Sequence, residues 1–596
     1  MFTTRPELVG DMGMVASTHW LASATGMSVL ERGGNAADAA VAAGFVLQVV
    51  EPHLNGPGGE VPILLWSPDE EKVSVVCGQG VSPAAATGEH LAGLGLGLVP
   101  GTGLLPTVVP GAFGAWMTLL ERWGTWTVRD VLEPAIGYAA NGHPLLGRVS
   151  TAIGTVADMF RAHWPTSAAT WLPKGAVPAG GSRFTNPVLA ATYRRLADES
   201  EAAGGTRENQ IGAARDAWYR GFVAEAIGAY CVGAEVRDTS GRAHGGLLTA
   251  DDLAGWEPAV EEPVTFDYHG HTVCKTGPWG QGPVFLQQLA LLEGFDLAEM
   301  GPGSADWIHT VIEAGKLAFA DREAWYGDPD FTDVPLTALL SRDYNDERRR
   351  LISGTASLEL LPGAPDGRAP RLPHYPDHAQ PSAGGGAAAA GAGEPTVAPS
   401  GETRGDTCHL DVADSGGMMI SATPSGGWFQ SSPTVPGLGF CLSTRGQMFW
   451  VEQGLPNSLR PGARPRTTLT PSFALRDGKP WLAFGTPGGD FQDQWSLHFF
   501  LNVVHGGMSL QQAIDAPEFH STHMPNSFYP RDSHPGHLLV EGRLAPDLIA
   551  ELARRGHEME VDGDWSLGRV SAVAREDGWL KAAANARGMQ GYAVGR

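Results

Sequence analysis

The sequence predicts an α+β protein built of stacked layers, on two observations. Through its first ~400 residues the chain carries long segments of helical periodicity; beyond residue 409, short strand-like runs alternate with Gly/Asp turns before two further helices. A sheet has two faces to bury, and strands accompanied by helices in both parts of the chain supply the material to cover them.

Residues 36–50 are apolar nearly all round. They follow a Gly33-Gly34 stop and an Asn35 whose side chain can cap a first turn, so they read as a buried helix. Residues 116–123, 128–141, 284–293 and 305–325 repeat apolar positions at helical spacing. Thr249-Ala250-Asp251-Asp252 has the spacing of an N-terminal capping box, with aspartate at its acidic position. From about residue 362 to 404 the composition turns to Gly, Ala, Pro and Ser, too poor in apolar area to stay ordered, and predicts a mobile linker. Residues 409–414, 418–422, 473–475 and 481–484 then read as strands, and 495–505 and 545–554 as helices.

At 596 residues and 42% hydrophobic content the chain can bury a large core. Its 41 basic against 65 acidic residues leave a net charge of −24, which repels phosphate backbones and anionic lipid; neither nucleic acid nor membrane is an expected partner. No apolar run approaches the ~20 residues of a membrane span, and Met1-Phe2-Thr3-Thr4-Arg5-Pro6-Glu7 lacks the basic start and apolar stretch of an export signal. Five scattered cysteines without CxxC spacing argue against a disulfide framework or a structural zinc site. A cytoplasmic location is expected.

Gly405-Asp406-Thr407-Cys408-His409-Leu410-Asp411 follows the linker. Taken alone it reads most simply as the start of a strand, since His409 and Asp411 alternate with Leu410 and Val412. It also reads as a self-cleavage site. Once the bond before Thr407 is cut, the threonine's own α-amine, with a pKa of roughly 7.7–8.0, lies beside the hydroxyl and can act as its base.

Other segments favour the second reading. Gly13-Met14-Val15-Ala16-Ser17, Leu30-Glu31-Arg32-Gly33-Gly34-Asn35-Ala36-Ala37-Asp38-Ala39-Ala40, Val50-Glu51-Pro52-His53, Phe319-Ala320-Asp321-Arg322 and Tyr326-Gly327-Asp328-Pro329-Asp330-Phe331 precede it. Arg464-Pro465, Gly485-Thr486-Pro487-Gly488-Gly489 and Asn585-Ala586-Arg587-Gly588 follow. In content and order these resemble the γ-glutamyltransferase (glutathione hydrolase) family. The resemblance implies the four-layer αββα sandwich of N-terminal-nucleophile hydrolases. It also implies a cut between Asp406 and Thr407, giving a large piece (1–406) and a small piece (407–596) interleaved as a heterodimer, with no cofactor.

By the same resemblance Thr407 is the catalytic nucleophile, Gly488 and Gly489 form the oxyanion hole, and Thr423 and Ser425 fall where hydroxyls steady the nucleophile. The head-group pocket departs from the family. Gln79 stands where an arginine holds the glutamyl α-carboxylate, and in the segment from Arg445 through Gln447 to Trp450, Trp450 stands where an aspartate receives the α-ammonium. Thr467 and Thr468 replace paired serines, and Gly427 replaces an asparagine. A zwitterionic head group without countercharges is costly to desolvate. The expected substrate is therefore a γ-glutamyl or related amide, with a small, less charged, oxamate- or acyl-amide-like group as the alternative, and water or an amine as acceptor. A catalytically silent relative that only binds a ligand is the rival reading.

His520, His523, His534 and His537 lie close together, but His520 and His523 lack the glutamate of a zincin motif and Pro525, Pro530 and Pro535 break any helix; no metal site is expected. Gly93-Leu94-Gly95-Leu96-Gly97 has neither the strand nor the distal acid of a dinucleotide fingerprint and reads as a loop.

Overall fold

The computed structural model describes residues 2–375 and 407–596. Alternation along its strands sorts the apolar side chains into three separate layers. In the strand Gly13–Ser17, Val15 points one way and Met14 and Ala16 the other; in Val61–Ser67, Ile63 and Leu65 oppose Leu64; in Leu410–Asp414, Val412 opposes Ala413. Met14, Ala16, Leu64 and Ala413 meet Phe473, Ala483 and Val573 of a second sheet, and the opposite faces pack against helices. The result is helix, sheet, sheet, helix: the four-layer αββα sandwich.

Both large sheets have seven strands, all paired antiparallel. One runs in the order Leu8–Gly10, Trp579–Ala584, Ser571–Glu576, Lys479–Gly485, Ser472–Arg476, His271–Lys275 and Val264–Tyr268. The other runs Tyr592–Gly595, Gly13–Ser17, Leu410–Asp414, Met419–Ala422, Val61–Ser67, Lys72–Gly78 and Ala259–Glu261. Each sheet thus takes strands from both sides of Thr407. The strand that follows Thr407 lies in the middle of its sheet, between Gly13–Ser17 and Met419–Ala422.

Ala36–Val50 is buried along its whole length. Its start is fixed by a capping box between Asn35 and Asp38, and the Asp38 carboxylate also takes the amides of Thr125 (2.8 Å) and Trp126 (3.0 Å). The helices Val128–Asn141 and Ala305–Trp325, and the box at Thr249 and Asp252, form where their sequences place them. Residues 362–375, the start of the expected linker, are pinned rather than loose: the Gly363 amide donates to Asp321 at 2.6 Å, Trp325 Nε1 donates to the Gly363 carbonyl at 3.2 Å, and His374 pairs with Glu452 at 2.9 Å. Polar anchors on other elements hold this stretch, which composition alone does not reveal. The rest of that linker, residues 376–404, and Asp406 of the expected cleavage site lie outside the described residues. Among the described residues no helix is long and apolar enough to cross a membrane.

Candidate active site

Thr407 enters the central strand fully buried, bridged to Ser425. The neighbouring backbone is locked: the Cys408 amide donates to Pro424 O at 2.9 Å, and Ser425 and Glu60 exchange main-chain bonds of 3.0 and 2.8 Å. This register brings Thr407 Oγ1 to 3.2 Å from Ser425 Oγ. Arg445 Nη2 donates to the same serine oxygen at 2.6 Å, so Ser425 Oγ accepts from the arginine while lying within hydrogen-bond reach of Thr407 Oγ1. Arg445 is in turn paired through Nε with Glu60, both fully buried, and its guanidinium lies 5.2 Å and 5.3 Å from the Trp428 and Phe528 rings. Burial pushes the Glu60 carboxyl up, and Arg445 opposes that push.

A second buried chain supports the strand. His409 Nδ1 lies 2.9 Å from Thr423 Oγ1 and its Nε2 2.9 Å from Asp411 Oδ1, while Ser571 of the facing sheet donates to Asp411 Oδ2 at 3.0 Å. Burial raises the Asp411 carboxyl, opposed by His409. Cys408 is no rival nucleophile: burial, reinforced by the Glu51 carboxylate 3.1 Å from its sulfur, drives its thiol well above the ordinary value.

Gly488 and Gly489 follow the strand Lys479–Gly485 and open the turn Gly489–Phe491, from which the helix Gln492–Val504 continues. Both have left-handed φ, +126° and +54°, and a Cβ on Gly488 would stand 2.3 Å from the Trp495 ring. Only glycine fits, and the unblocked N–H groups of such a turn at a helix start suit a developing oxyanion. The next residue anchors the turn: Asp490 pairs with Arg322 and accepts from Ser527 N (2.7 Å) and Ser527 Oγ (2.6 Å). Burial alone would raise the Asp490 carboxyl, but Arg322 and Ser527 outweigh it and hold it below the usual range.

The residues expected to bind the head group are less gathered. Gln79 is buried, donates to Gly80 O at 3.0 Å, and lines a cavity of 590 Å³ with Cys77, Ser82, Asp252, Trp256 and Arg464; its Oε1 lacks a hydrogen-bond partner among the described residues. Trp450 borders a different cavity of 670 Å³, with Leu96, Arg242, His374 and Tyr529. Gln447 is a strut: its Nε2 donates to Gly101 O at 3.0 Å and its Oε1 accepts from Tyr529 N at 3.1 Å. Thr467 donates its amide to Trp279 O at 3.0 Å and accepts Leu469 N at 3.3 Å, whereas the buried Thr468 hydroxyl has no partner among the described residues.

The histidines grouped at 520–537 in the sequence meet different surroundings. His520 lies tilted against Phe491 with ring centres 4.0 Å apart, its imidazole pulled down to about 3 by burial, and His537 bonds Thr522 and Glu560. Among the described residues His309, Glu313 and His557 stand close enough to hold a cation. Their ligand atoms are engaged, however: the two imidazoles face each other at 2.9 Å and Glu313 pairs with Lys316 at 2.6 Å.

Sequence reasoning missed Glu60, Arg445, His409, Asp411 and Asp490. Glu60 and Arg445 are 385 positions apart, and no spacing rule links them. A lone acid directly after a glycine run, Gly58-Gly59-Glu60, was the one available signal.

A four-layer αββα sandwich that presents a buried threonine hydroxyl at a central strand has the architecture of an N-terminal-nucleophile hydrolase. The chain belongs to the gamma-glutamyltranspeptidase family, whose model matches residues 22–595. It is 30% identical to the glutathione hydrolase-like YwrD proenzyme of Bacillus subtilis, over 99% of both chains. It is also 30% identical to the oxamate amidohydrolase proenzyme of Klebsiella pneumoniae, over 97% of this chain and 98% of that one. Among solved structures, LmbA2991 shares 57% identity with a TM-score of 0.93 over the whole of both chains. The cephalosporin acylase from Bacillus halodurans shares 29% with a TM-score of 0.82, over 100% of this chain and 97% of that one.

Proposed function

We propose that this enzyme matures by its own Thr407 and then hydrolyses or transfers the acyl group of a small amide through a Thr407 ester. The observation that carries the proposal is the relay from Arg445 to Ser425 Oγ (2.6 Å) to Thr407 Oγ1 (3.2 Å), which places a polarised hydroxyl beside the nucleophile. In maturation, Thr407 Oγ attacks the Asp406 carbonyl carbon and the Thr407 nitrogen leaves as the amine. Water then opens the ester, freeing the Asp406 carboxylate and the hydroxyl. In turnover the freed α-amine takes the hydroxyl proton as Oγ attacks the substrate carbonyl. The Gly488 and Gly489 amides receive the oxyanion, the leaving amine takes the proton, and water or an amine accepts the acyl group.

The large piece (1–406) and small piece (407–596) would stay together as a heterodimer, since each sheet needs strands from both. A reducing, cytoplasmic setting is supported by five unpaired, buried cysteines. Gln79 and Trp450, on separate cavities and without charge, support an acyl group other than γ-glutamyl; relatives named for glutathione hydrolysis keep γ-glutamyl substrates as the second reading. The test is a denaturing gel with N-terminal sequencing. The wild type should give two fragments, the smaller starting at Thr407, and Thr407→Ala one intact chain without amidase activity. A small fragment starting elsewhere, or full cleavage of the alanine variant, defeats the reading.

A further inference from the structure

Three buried arginines gather near residues 447–450, and two carboxylates answer them. Arg322 pairs with Asp490 and donates to Glu323 Oε1 at 2.9 Å; Arg466 donates to the same glutamate oxygen at 2.6 Å. Those four charges balance, and Arg531 is left in excess. Only 5% exposed, it takes part in none of the ion pairs among the described residues. Its Nη2 donates to the Gln447 and Phe449 carbonyls at 2.9 and 3.1 Å, and its guanidinium lies 4.4 Å from the centre of the Trp450 ring. Its Nη1 is buried with no hydrogen-bond partner among the described residues. Burial draws the group down to about 10, against the pull of Glu323, so it is cationic at neutral pH.

A second donor stands at the same indole. Tyr375 meets Trp450 edge-on at 5.6 Å, and its buried hydroxyl also lacks a partner among the described residues. Burial and the Glu323 carboxylate raise this phenol's pKa, and Arg466, Arg531 and Arg322 oppose them. The place is tied to the reacting centre through a short turn. The Arg531 amide donates to Phe528 O at 2.8 Å, Phe528 packs on Arg445, which holds Ser425, and Ser527 holds Asp490 beside the glycine turn. A cation withdrawn from water is stable only with a countercharge, and guanidinium with a phenol beside it is a donor set suited to a carboxylate.

We propose that Arg531 and the Tyr375 hydroxyl bind a carboxylate of the amide substrate, so that this enzyme selects amides bearing one negative charge and no balancing ammonium. The inference rests on the acyl-transfer reading of Thr407 and names its substrate class. It gives Trp450 a role as the surface on which the cation lies. The two nearby acids, Asp490 and Glu323, each pair with arginine, Glu323 Oε2 keeping no hydrogen-bond partner among the described residues, so the cluster carries one positive charge in excess.

The test uses processed enzyme with succinyl anilide and its terminal carboxamide counterpart, and succinate alone as a calorimetric probe. The wild type should favour the succinyl anilide through KM and should bind succinate. Arg531→Gln should raise KM for succinyl anilide at least about tenfold, leave the neutral amide within about twofold, and lose succinate binding. Tyr375→Phe, which removes one hydroxyl, should shift KM the same way by less, and serves if Arg531→Gln does not fold. Equal KM values for the two amides, or succinate binding unchanged in both variants, overturns the proposal. If no amide is turned over yet succinate binds in an Arg531-dependent manner, the anion site stands and the acyl-transfer reading falls.

Discussion

The wall around Thr407 and the wall around Trp450 differ in how their buried charge is balanced. At the first, Arg445 is paired with Glu60 and Arg322 with Asp490, and the His409 imidazole is hydrogen-bonded to Asp411, although Arg445 Nη1, Glu60 Oε2 and Arg322 Nε keep no hydrogen-bond partner among the described residues. At the second, the Arg531 Nη1, the Tyr375 hydroxyl and the Trp450 Nε1 are buried without hydrogen-bond partners among the described residues. Unsatisfied buried groups are costly unless something completes them. The difference lies in charge: the cations of the first wall each pair with a carboxylate, whereas Arg531 pairs with none among the described residues.

The sharpest way to break this contrast is Arg445→Met. It strands the Glu60 carboxylate and removes the Ser425 donor, so it should cost about 3–5 kcal/mol of stability, measured by denaturant unfolding in the uncut Thr407→Ala background. Next comes Gly488→Ala. The added methyl meets the Trp495 ring in a left-handed backbone, and turnover should fall by a factor on the order of 10²–10³ with processing retained. A processed variant at full rate would remove the oxyanion assignment. Ser425→Ala, which deletes one hydroxyl and leaves Arg445 paired to Glu60, should slow the single-turnover acylation rate by about tenfold without moving KM. The smallest effect is expected at the open wall. γ-Glutamyl anilide should be a poor substrate by kcat/KM, and Gln79→Arg should improve it by less than about tenfold, because the α-ammonium still finds no acid. An ordinary kcat/KM for γ-glutamyl anilide in the wild type would show that the open wall is complete after all.

Local order was legible wherever one segment decides its own fate. The helices Ala36–Val50, Val128–Asn141 and Ala305–Trp325 begin and end where apolar spacing and capping residues place them. The left-handed turn at Gly488 and Gly489 falls at the glycine pair that the resemblance singles out. The partners that make the site work were not: Arg445 reaches Glu60, Asp490 reaches Arg322, and Arg531 meets Tyr375 only after the sheets have stacked. The pinned stretch 362–375 fails for the same reason, since its anchors Asp321 and Glu452 lie on other elements. Periodicity reports which face a residue takes, not which distant residue it meets there.

Because each seven-stranded sheet draws strands from both sides of Thr407, a break in the chain there changes how the molecule can be rebuilt more than how it stands. An intact chain folds as a unimolecular process, with its ends already tethered. The cut protein, once unfolded, must bring two fragments together at whatever concentration they have, without the loop that once held them. Cleavage would therefore make the native state one that persists through slow unfolding rather than ready recovery. A urea-denatured uncut variant should regain its structure on dilution at a rate independent of concentration, while the processed enzyme should recover poorly and better when concentrated.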